Sequence, residues 1–252
     1  MTVLEVRELD KSFISNKDGS TLHVVDHISF SLEEGEFLGI VGESGCGKST
    51  IAKLVMGLHR PDGGEILVKG EPVRWPYSRD VYRKMQMIFQ MPKDSFDPRR
   101  TIGKCLASVL KNFGVPAADC QDRSVALLSD VGLDESFLNK YPHEMSGGEC
   151  QRAAIARAMA ASPEILICDE ITSALDVSVQ AQIVDLILRL KESGKISVVF
   201  ISHDLALVQG LCSRILVMNK GVIAEEGDAR QITNDPQNEY TKKLMDSILT
   251  VE

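Results

Sequence analysis

The eight residues Gly42-Glu43-Ser44-Gly45-Cys46-Gly47-Lys48-Ser49 fit the spacing GxxxxGK[ST]. Average composition would give those four fixed positions by chance in about one chain of this length in a hundred. The chemistry such a spacing can do is to hold phosphate. Glycines let the backbone curl until successive N–H groups face an anion, and the start of a following helix adds partial positive charge. Lys48 supplies a full charge for terminal phosphates, and the Ser49 hydroxyl is placed to ligate Mg²⁺. A plain flexible turn would require neither a lysine nor a hydroxyl at those positions.

A loop of this kind needs a second, acidic element. Ile165-Leu166-Ile167-Cys168-Asp169-Glu170 supplies one: an apolar run that ends in two carboxylates. Asp169 is placed to hold Mg²⁺ through water, and Glu170 to sit beside an attacking water as general base. In isolation, Asp-Glu after a strand more often marks a solvated turn. Paired with the phosphate loop it becomes a hydrolytic constellation.

The elements around these residues alternate. Leu22, Val24, Ile28, Phe30 and Leu32 read as a half-buried strand stopped by Glu33-Glu34-Gly35, and the apolar strand Phe37–Val41 runs straight into the glycine-rich turn. Ile51–Met56 continues as helix, and Glu65–Lys69 and Met85–Phe89 are strand-like. From about Thr101 to Ala161 the pattern is helical. Strands return at Ile165–Cys168, Ile196–Ile201 and Ile215–Met218, with an amphipathic helix around Val179–Leu190 between the first two. A hairpin is expected at Asn219-Lys220-Gly221 and a closing helix over Asn238–Leu249. Short apolar strands alternating with helices imply a parallel sheet covered on both faces, with ligands outside the carboxyl ends of its strands. The central helical stretch reads as an insertion.

Bulk properties narrow the class. The 252 residues are 44% hydrophobic and 25% charged, an ordinary globular balance, and a chain of this size buries roughly three-quarters of its unfolded surface. With 28 basic and 36 acidic residues the formal charge is −8, which argues against a general nucleic-acid binder. No apolar run approaches the eighteen or so residues of a membrane span, and the start lacks the basic front and apolar stretch of a signal peptide. A soluble, cytoplasmic protein is expected. The six scattered cysteines form no CxxC pair and read as reduced structural thiols.

The remaining motifs are recognisable together. Tyr141-Pro-His-Glu-Met-Ser146-Gly147-Gly148-Glu149-Cys-Gln-Arg152 resembles the signature motif of ABC ATPases, and Ser173-Ala174-Leu175-Asp176 resembles their D-loop. Gln90 ends a strand where that family has its Q-loop, and His203 matches its switch histidine. The resemblance runs from about Val3 to Leu249 with all motifs in the family's order. It implies an α/β fold: a P-loop NTPase (RecA-like) core with a mainly parallel sheet, an N-terminal antiparallel β-subdomain and an inserted α-helical subdomain. Residues 1–252 would form one ABC ATPase domain, its core 1–90 and 162–252 and its helical insert about 91–161.

By that resemblance, Gly42, Glu43, Ser44, Gly45, Cys46, Gly47, Lys48, Ser49 and Thr50 bind the ATP phosphates, and Ser49, Gln90 and Asp169 attend Mg²⁺. Glu170 and His203 are the catalytic pair; a histidine at a strand end is otherwise an ordinary hydrogen-bonding residue. Phe13 either stacks on adenine or packs in the core. Ser146, Gly147 and Gly148 form a second anion cradle ahead of an Arg/Ala-rich helix, a tripeptide that by itself reads as a plain N-cap. One chain has one of each cradle, so two subunits are expected to pair head to tail with ATP between them. Cys46 reads as a tolerated small residue, although alkylation there would block nucleotide. The signature departs from the family pattern at Met145, which keeps an apolar anchor, and at Glu149. Glu149 puts negative charge near an anion site unless Arg152 offsets it.

The segments Phe89–Ile102 and Thr172–Gln182 are similar to those of the peptide/nickel importer branch. That similarity implies a partner ATPase subunit, two transmembrane permease subunits, an extracytoplasmic binding protein acting indirectly, no nucleic acid, and a place at the cytoplasmic face of the membrane. Many members carry a cysteine-containing extension that this chain lacks, which weakens assignment to the classical di- or oligopeptide carriers and leaves nickel, metal chelates and other small cargoes more open beside peptide-like ones. The segment from Gln90 to about Lys111 is expected to receive a short helix of the membrane partner. The alternative is an ABC-type scaffold or ATPase subunit of a soluble enzyme complex such as one for phosphonate breakdown.

Overall fold

A computed structural model describes residues 1–14, 19–173, 175–192, 194 and 196–249, with side chains to 246. In chain order the strands are β1 (Thr2–Ile14), β2 (Thr21–Glu33), β3 (Phe37–Val41), β4 (Gly63–Val68), β5 (Glu71–Pro72), β6 (Met85–Ile88), β7 (Ile165–Asp169), β8 (Ser197–Ile201), β9 (Arg214–Asn219) and β10 (Val222–Asp228). The helices are α1 (Lys48–Val55), α2 (Arg79–Lys84), α3 (Ile102–Asn112), α4 (Cys120–Asp130), α5 (Gly147–Met159), α6 (Val177–Glu192), α7 (Leu205–Leu211), α8 (Ala229–Asn234) and α9 (Glu239–Leu249). This is an α/β fold built on a P-loop NTPase core.

One sheet has the order β10-β9-β3-β8-β7-β6 and is parallel from β9 to β6, with β10 antiparallel at its edge. The other is antiparallel, in the order β2-β1-β4-β5. In the parallel sheet the two-residue period of a strand divides two apolar cores. Phe37, Val41, Val198, Phe200, Leu166 and Cys168 face the helices α3 to α9. Leu38, Ile40, Val199, Ile201, Ile165 and Ile167 face α1 and the antiparallel sheet. Buried on both faces, β3, β7 and β8 are apolar apart from Asp169 and Ser197 at strand ends, which is why they stand out in the sequence. Gly39 is the exception within β3, and it makes room: a Cβ there would lie 2.3 Å from Val208 Cγ1 on α7.

The helical stretch between β6 and β7 holds α3, α4 and α5, with 3-10 turns between them. Thr101 caps α3, its hydroxyl accepting from Lys104 N–H at 3.4 Å. The hairpin at Asn219–Gly221 forms between β9 and β10. The first strand, β1, was not among the strands read from alternation. Its pairing with β2 shifts register repeatedly between Thr2 and Ser12, so its residues change face where a regular strand would alternate. The short helices α2, α7 and α8 carry too few turns to show a period. All six cysteines are buried and none is in a disulfide, as reduced structural thiols should be.

Candidate functional site

Strand order builds the site. Because β3, β8, β7 and β6 are consecutive neighbours, their carboxyl ends lie side by side. The turn after β3 is the glycine loop, β7 ends in Asp169-Glu170, β8 leads to His203, and β6 leads to Gln90. Four segments far apart in sequence therefore converge at one edge. A concavity there is lined by Gly45, Lys48, Ser49, Gln90, Glu170 and Val24, among others.

The loop is shaped by its glycines. Gly42 has φ 152°, and a Cβ there would lie 2.3 Å from Met218 O on β9. Gly47, at φ 111°, is the left-handed N-cap of α1, and a Cβ on it would lie 2.6 Å from Val24 O. Gly47 has no side chain to cap the helix, so no side chain competes for the first-turn N–H groups of α1. The Lys48 side chain is 4% exposed. Its ammonium donates to Gly42 O at 2.7 Å and Glu43 O at 2.9 Å, and lies 4.0 Å from Glu170 Oε1.

Beside it, the Ser49 hydroxyl donates to Asp169 Oδ1 at 2.8 Å. Burial pushes the Asp169 carboxyl up from its usual range, opposed mainly by that hydroxyl. A hydroxyl and a buried carboxylate in contact are a hard oxygen pair of the kind Mg²⁺ selects, so the residues fit that ion. Glu170 adopts φ 48°, an uncommon conformation for a residue with a side chain, and its N–H donates to Ile201 O at 2.9 Å across to β8. Its side chain is 16% exposed. It accepts from the Gln90 amide at 3.1 Å and lies 3.6 Å from His203 Nδ1. The structure thus brings Lys48, Ser49, Gln90, Asp169, Glu170 and His203 together.

Other expected residues stand elsewhere. None of Ser146, Gly147 and Gly148 lines the concavity. Ser146 caps α5 in a reciprocal capping box: its hydroxyl accepts from Glu149 N–H at 3.3 Å, and the Glu149 carboxylate accepts from Ser146 N–H at 2.8 Å. The Ser146 backbone N–H, then its hydroxyl, hold the Glu149 carboxyl below the usual range. Arg152 does not offset Glu149 by contact, because its guanidinium donates to Gln182 instead. Gly148 is obligatory in another way: a Cβ there would lie 2.3 Å from Val179 Cγ1. Of the D-loop residues, the Ser173 hydroxyl donates to Glu170 O at 2.9 Å and Asp176 caps α6, whereas Ala174 lies outside the described residues.

Phe13 belongs to neither apolar core. It is half-buried, set edge-on to His59 at 5.5 Å with the Lys11 ammonium 5.4 Å from its ring, and it does not line the concavity. Phe13 therefore packs on His59 near the end of β1 in the antiparallel sheet, outside both cores. Cys46 is buried and burial pushes its thiol up, so alkylation there is disfavoured. Two contacts had no sequence signal. Val24 enters the concavity from the antiparallel sheet, and the Tyr240 hydroxyl on α9 accepts from Glu43 N–H at 3.2 Å. Nothing local to Tyr240 marks it; only the fold brings α9 to the loop.

Comparison with known proteins agrees with this geometry. Residues 25–173 match the family model described as ABC transporter. The chain is 43% identical to the oligopeptide transport ATP-binding protein OppF of Haemophilus influenzae, over 98% of this chain and 78% of that protein. It is 42% identical to the dipeptide transport ATP-binding protein DppD of Lactococcus lactis, over 99% of this chain and 74% of that one. Among solved structures, the dimeric post-hydrolysis state of the ATP-binding cassette MJ0796, bound to ADP and Pi, superposes with a TM-score of 0.77 at 27% identity, covering 90% of this chain and 99% of that one.

Proposed function

Since the chain belongs to the ABC transporter family as one of its ATPases, we propose that it energises import of peptide-class cargo as one half of an ATP-clamping pair. The observation that carries this reading is the convergence of Lys48, the Ser49–Asp169 pair and Glu170, flanked by Gln90 and His203, at one sheet edge. The relatives described above are named for oligopeptides and dipeptides, which favours peptide-like cargo over nickel. Those import systems also speak against a scaffold role in a soluble enzyme complex.

In this reading residues 42–50 and the N-terminus of α1 hold the ATP phosphates, with the Lys48 ammonium, seated on the loop carbonyls, directed at the terminal phosphates. Mg²⁺, held by Ser49, Asp169 through water and the Gln90 amide oxygen, would neutralise charge on the phosphates. Glu170 takes a proton from water as its oxygen attacks the terminal phosphorus and the bond to the departing diphosphate breaks. His203, on the same carboxylate, orients Glu170 and touches the terminal phosphate. Phe13 would stack on the adenine. The Ser146-Gly147-Gly148 turn, exposed at Ser146 and Gly147, is presented to the ATP of a second ATPase subunit, which the dimeric state of MJ0796 supports. The chain divides into a core, 1–90 and 162–252, and a helical insert, about 91–161, that carries this turn.

Partners follow from the same reading: two transmembrane permease subunits, an extracytoplasmic binding protein acting through them, and no nucleic acid. No helix among the described residues is long and apolar enough to cross a membrane, so attachment at the cytoplasmic face would be through those permeases. A groove lined by Leu58, Phe89, Val109 and Phe113 flanks the Gln90 segment and is suited to a short permease helix. Crosslinks that map the permease only to the Asn219–Gly221 hairpin would count against it. The decisive experiment is reconstitution with the permeases in vesicles. ATP-dependent peptide uptake that Glu170→Gln abolishes is expected; absence of ATP affinity with the partner subunit and magnesium present would refute the reading.

A further inference from the structure

The peptide unit between Gly42 and Glu43 is held at both ends. Its carbonyl, Gly42 O, accepts from the Lys48 ammonium at 2.7 Å, and its N–H, on Glu43, donates to the Tyr240 hydroxyl at 3.2 Å. The two partners are separated by about three-quarters of the chain. We propose that Tyr240 is a positioning residue for the phosphate loop: by accepting the Glu43 N–H it sets the peptide plane on which Lys48 is seated. The proposal rests on the reading of this loop as the ATP site.

Tyr240 is itself held in place. The Asn238 side-chain amide donates to Ala224 O at 2.9 Å, and its side-chain oxygen accepts from Tyr240 N–H at 2.8 Å. The Glu225 carboxylate accepts from the N–H groups of Gln237 at 2.8 Å and Asn238 at 3.1 Å, fastening the start of α9 to β10. The Tyr240 ring packs on the helix-facing core, so its hydroxyl stands at a defined point. The β9–β10 hairpin grips the same loop from beneath. Gly221 N–H donates to Cys46 O at 3.1 Å, and Gly42 lies against Met218 O. Gly42 has no side chain to resist rotation of its peptide, and external hydrogen bonds are what hold that plane. A plane that turned would carry its carbonyl away from Lys48 and offer its N–H in a different direction. The partner of the Tyr240 hydroxyl is one of the two peptides that seat the loop's lysine.

Tyr240→Phe removes the oxygen and keeps the ring, which makes it the clean test. Titration of the purified full chain with Mg-ATP should show Tyr240→Phe binding about three- to tenfold more weakly, the usual worth of one such hydrogen bond. The thermal unfolding midpoint should stay in place. In the assembled transporter KM for ATP should rise by the same factor with kcat unchanged, a split that a merely structural role would not produce. Asn238→Ala, which loosens the start of α9, should move KM in the same direction. Wild-type affinity in Tyr240→Phe would overturn the proposal, as would a fall in kcat and unfolding midpoint at constant KM. If the wild-type chain bound no Mg-ATP while folded, the ATP reading beneath it would fail instead.

Discussion

The two turns proposed to hold phosphate on this chain are built by opposite means. The loop at Gly42–Ser49 is assembled by the tertiary fold: β9 lies beneath it, α9 touches it through Tyr240, and Asp169 and Glu170 come from a strand more than a hundred residues away. The turn at Ser146–Glu149 is capped by its own residues, with Ser146 and Glu149 satisfying each other, Gly148 buried against Val179 of α6, and Ser146 and Gly147 left to solvent. In the proposed pairing the first turn acts with its own chain's carboxylates and the second on the ATP of a partner. A helix N-terminus with its own cap is stable without a ligand.

That contrast can be broken by substitution. The largest effect should come at Glu170. Glu170→Gln keeps shape and ATP affinity but removes the base, and kcat in the reconstituted transporter should fall by about 10²- to 10⁴-fold. An undiminished rate would refute the assignment of the base. Next, Lys48→Ala should abolish measurable binding in a Mg-ATP titration of the single chain, a loss of about two orders of magnitude, since a charge-assisted contact is removed.

Ser146→Arg sharpens the comparison most directly. It should leave Mg-ATP affinity of the single chain unchanged, yet prevent ATP-driven pairing in the Glu170→Gln background, read by light scattering. Altered affinity in the single chain would mean that the two cradles are not independent. The smallest effects belong to Glu149. Glu149→Gln keeps an acceptor for the Ser146 N–H, so ATP turnover should stay intact or rise. Glu149→Ala loses that acceptor and should cost about 1 kcal/mol in urea unfolding. The pH dependence has a definite sign. The Glu149 carboxyl is held below its unfolded value, so its stabilisation is present above that value and lost as pH falls through the lower folded one. Glu149→Gln should remove this acid-side component.

Much of this was legible without coordinates. Strands buried on both faces are runs of apolar residues, so β3, β7 and β8 announced themselves, and the motifs at their ends came with them. β1 escaped because its register shifts scramble alternation, and the short helices because they are too brief to show a period. At the site, the residue types around Lys48, Asp169 and Glu170 were readable from spacing. The role of Glu149 as its own helix cap was readable too, in the Ser-x-x-Glu spacing, but charge alone suggested repulsion of phosphate and pairing with Arg152.

The amino-acid sequence determined which groups could do chemistry, because a phosphate loop, a strand-ending carboxylate pair and a capped glycine turn are local patterns. Only the tertiary structure decided which of them meet. Strand order places Gln90, Asp169, Glu170 and His203 on neighbouring carboxyl ends and leaves the Ser146 turn outside. It also delivers Tyr240 and Val24 to the loop. Contacts across so many residues depend on how sheets are ordered and helices packed, and no local pattern of residue types encodes that order.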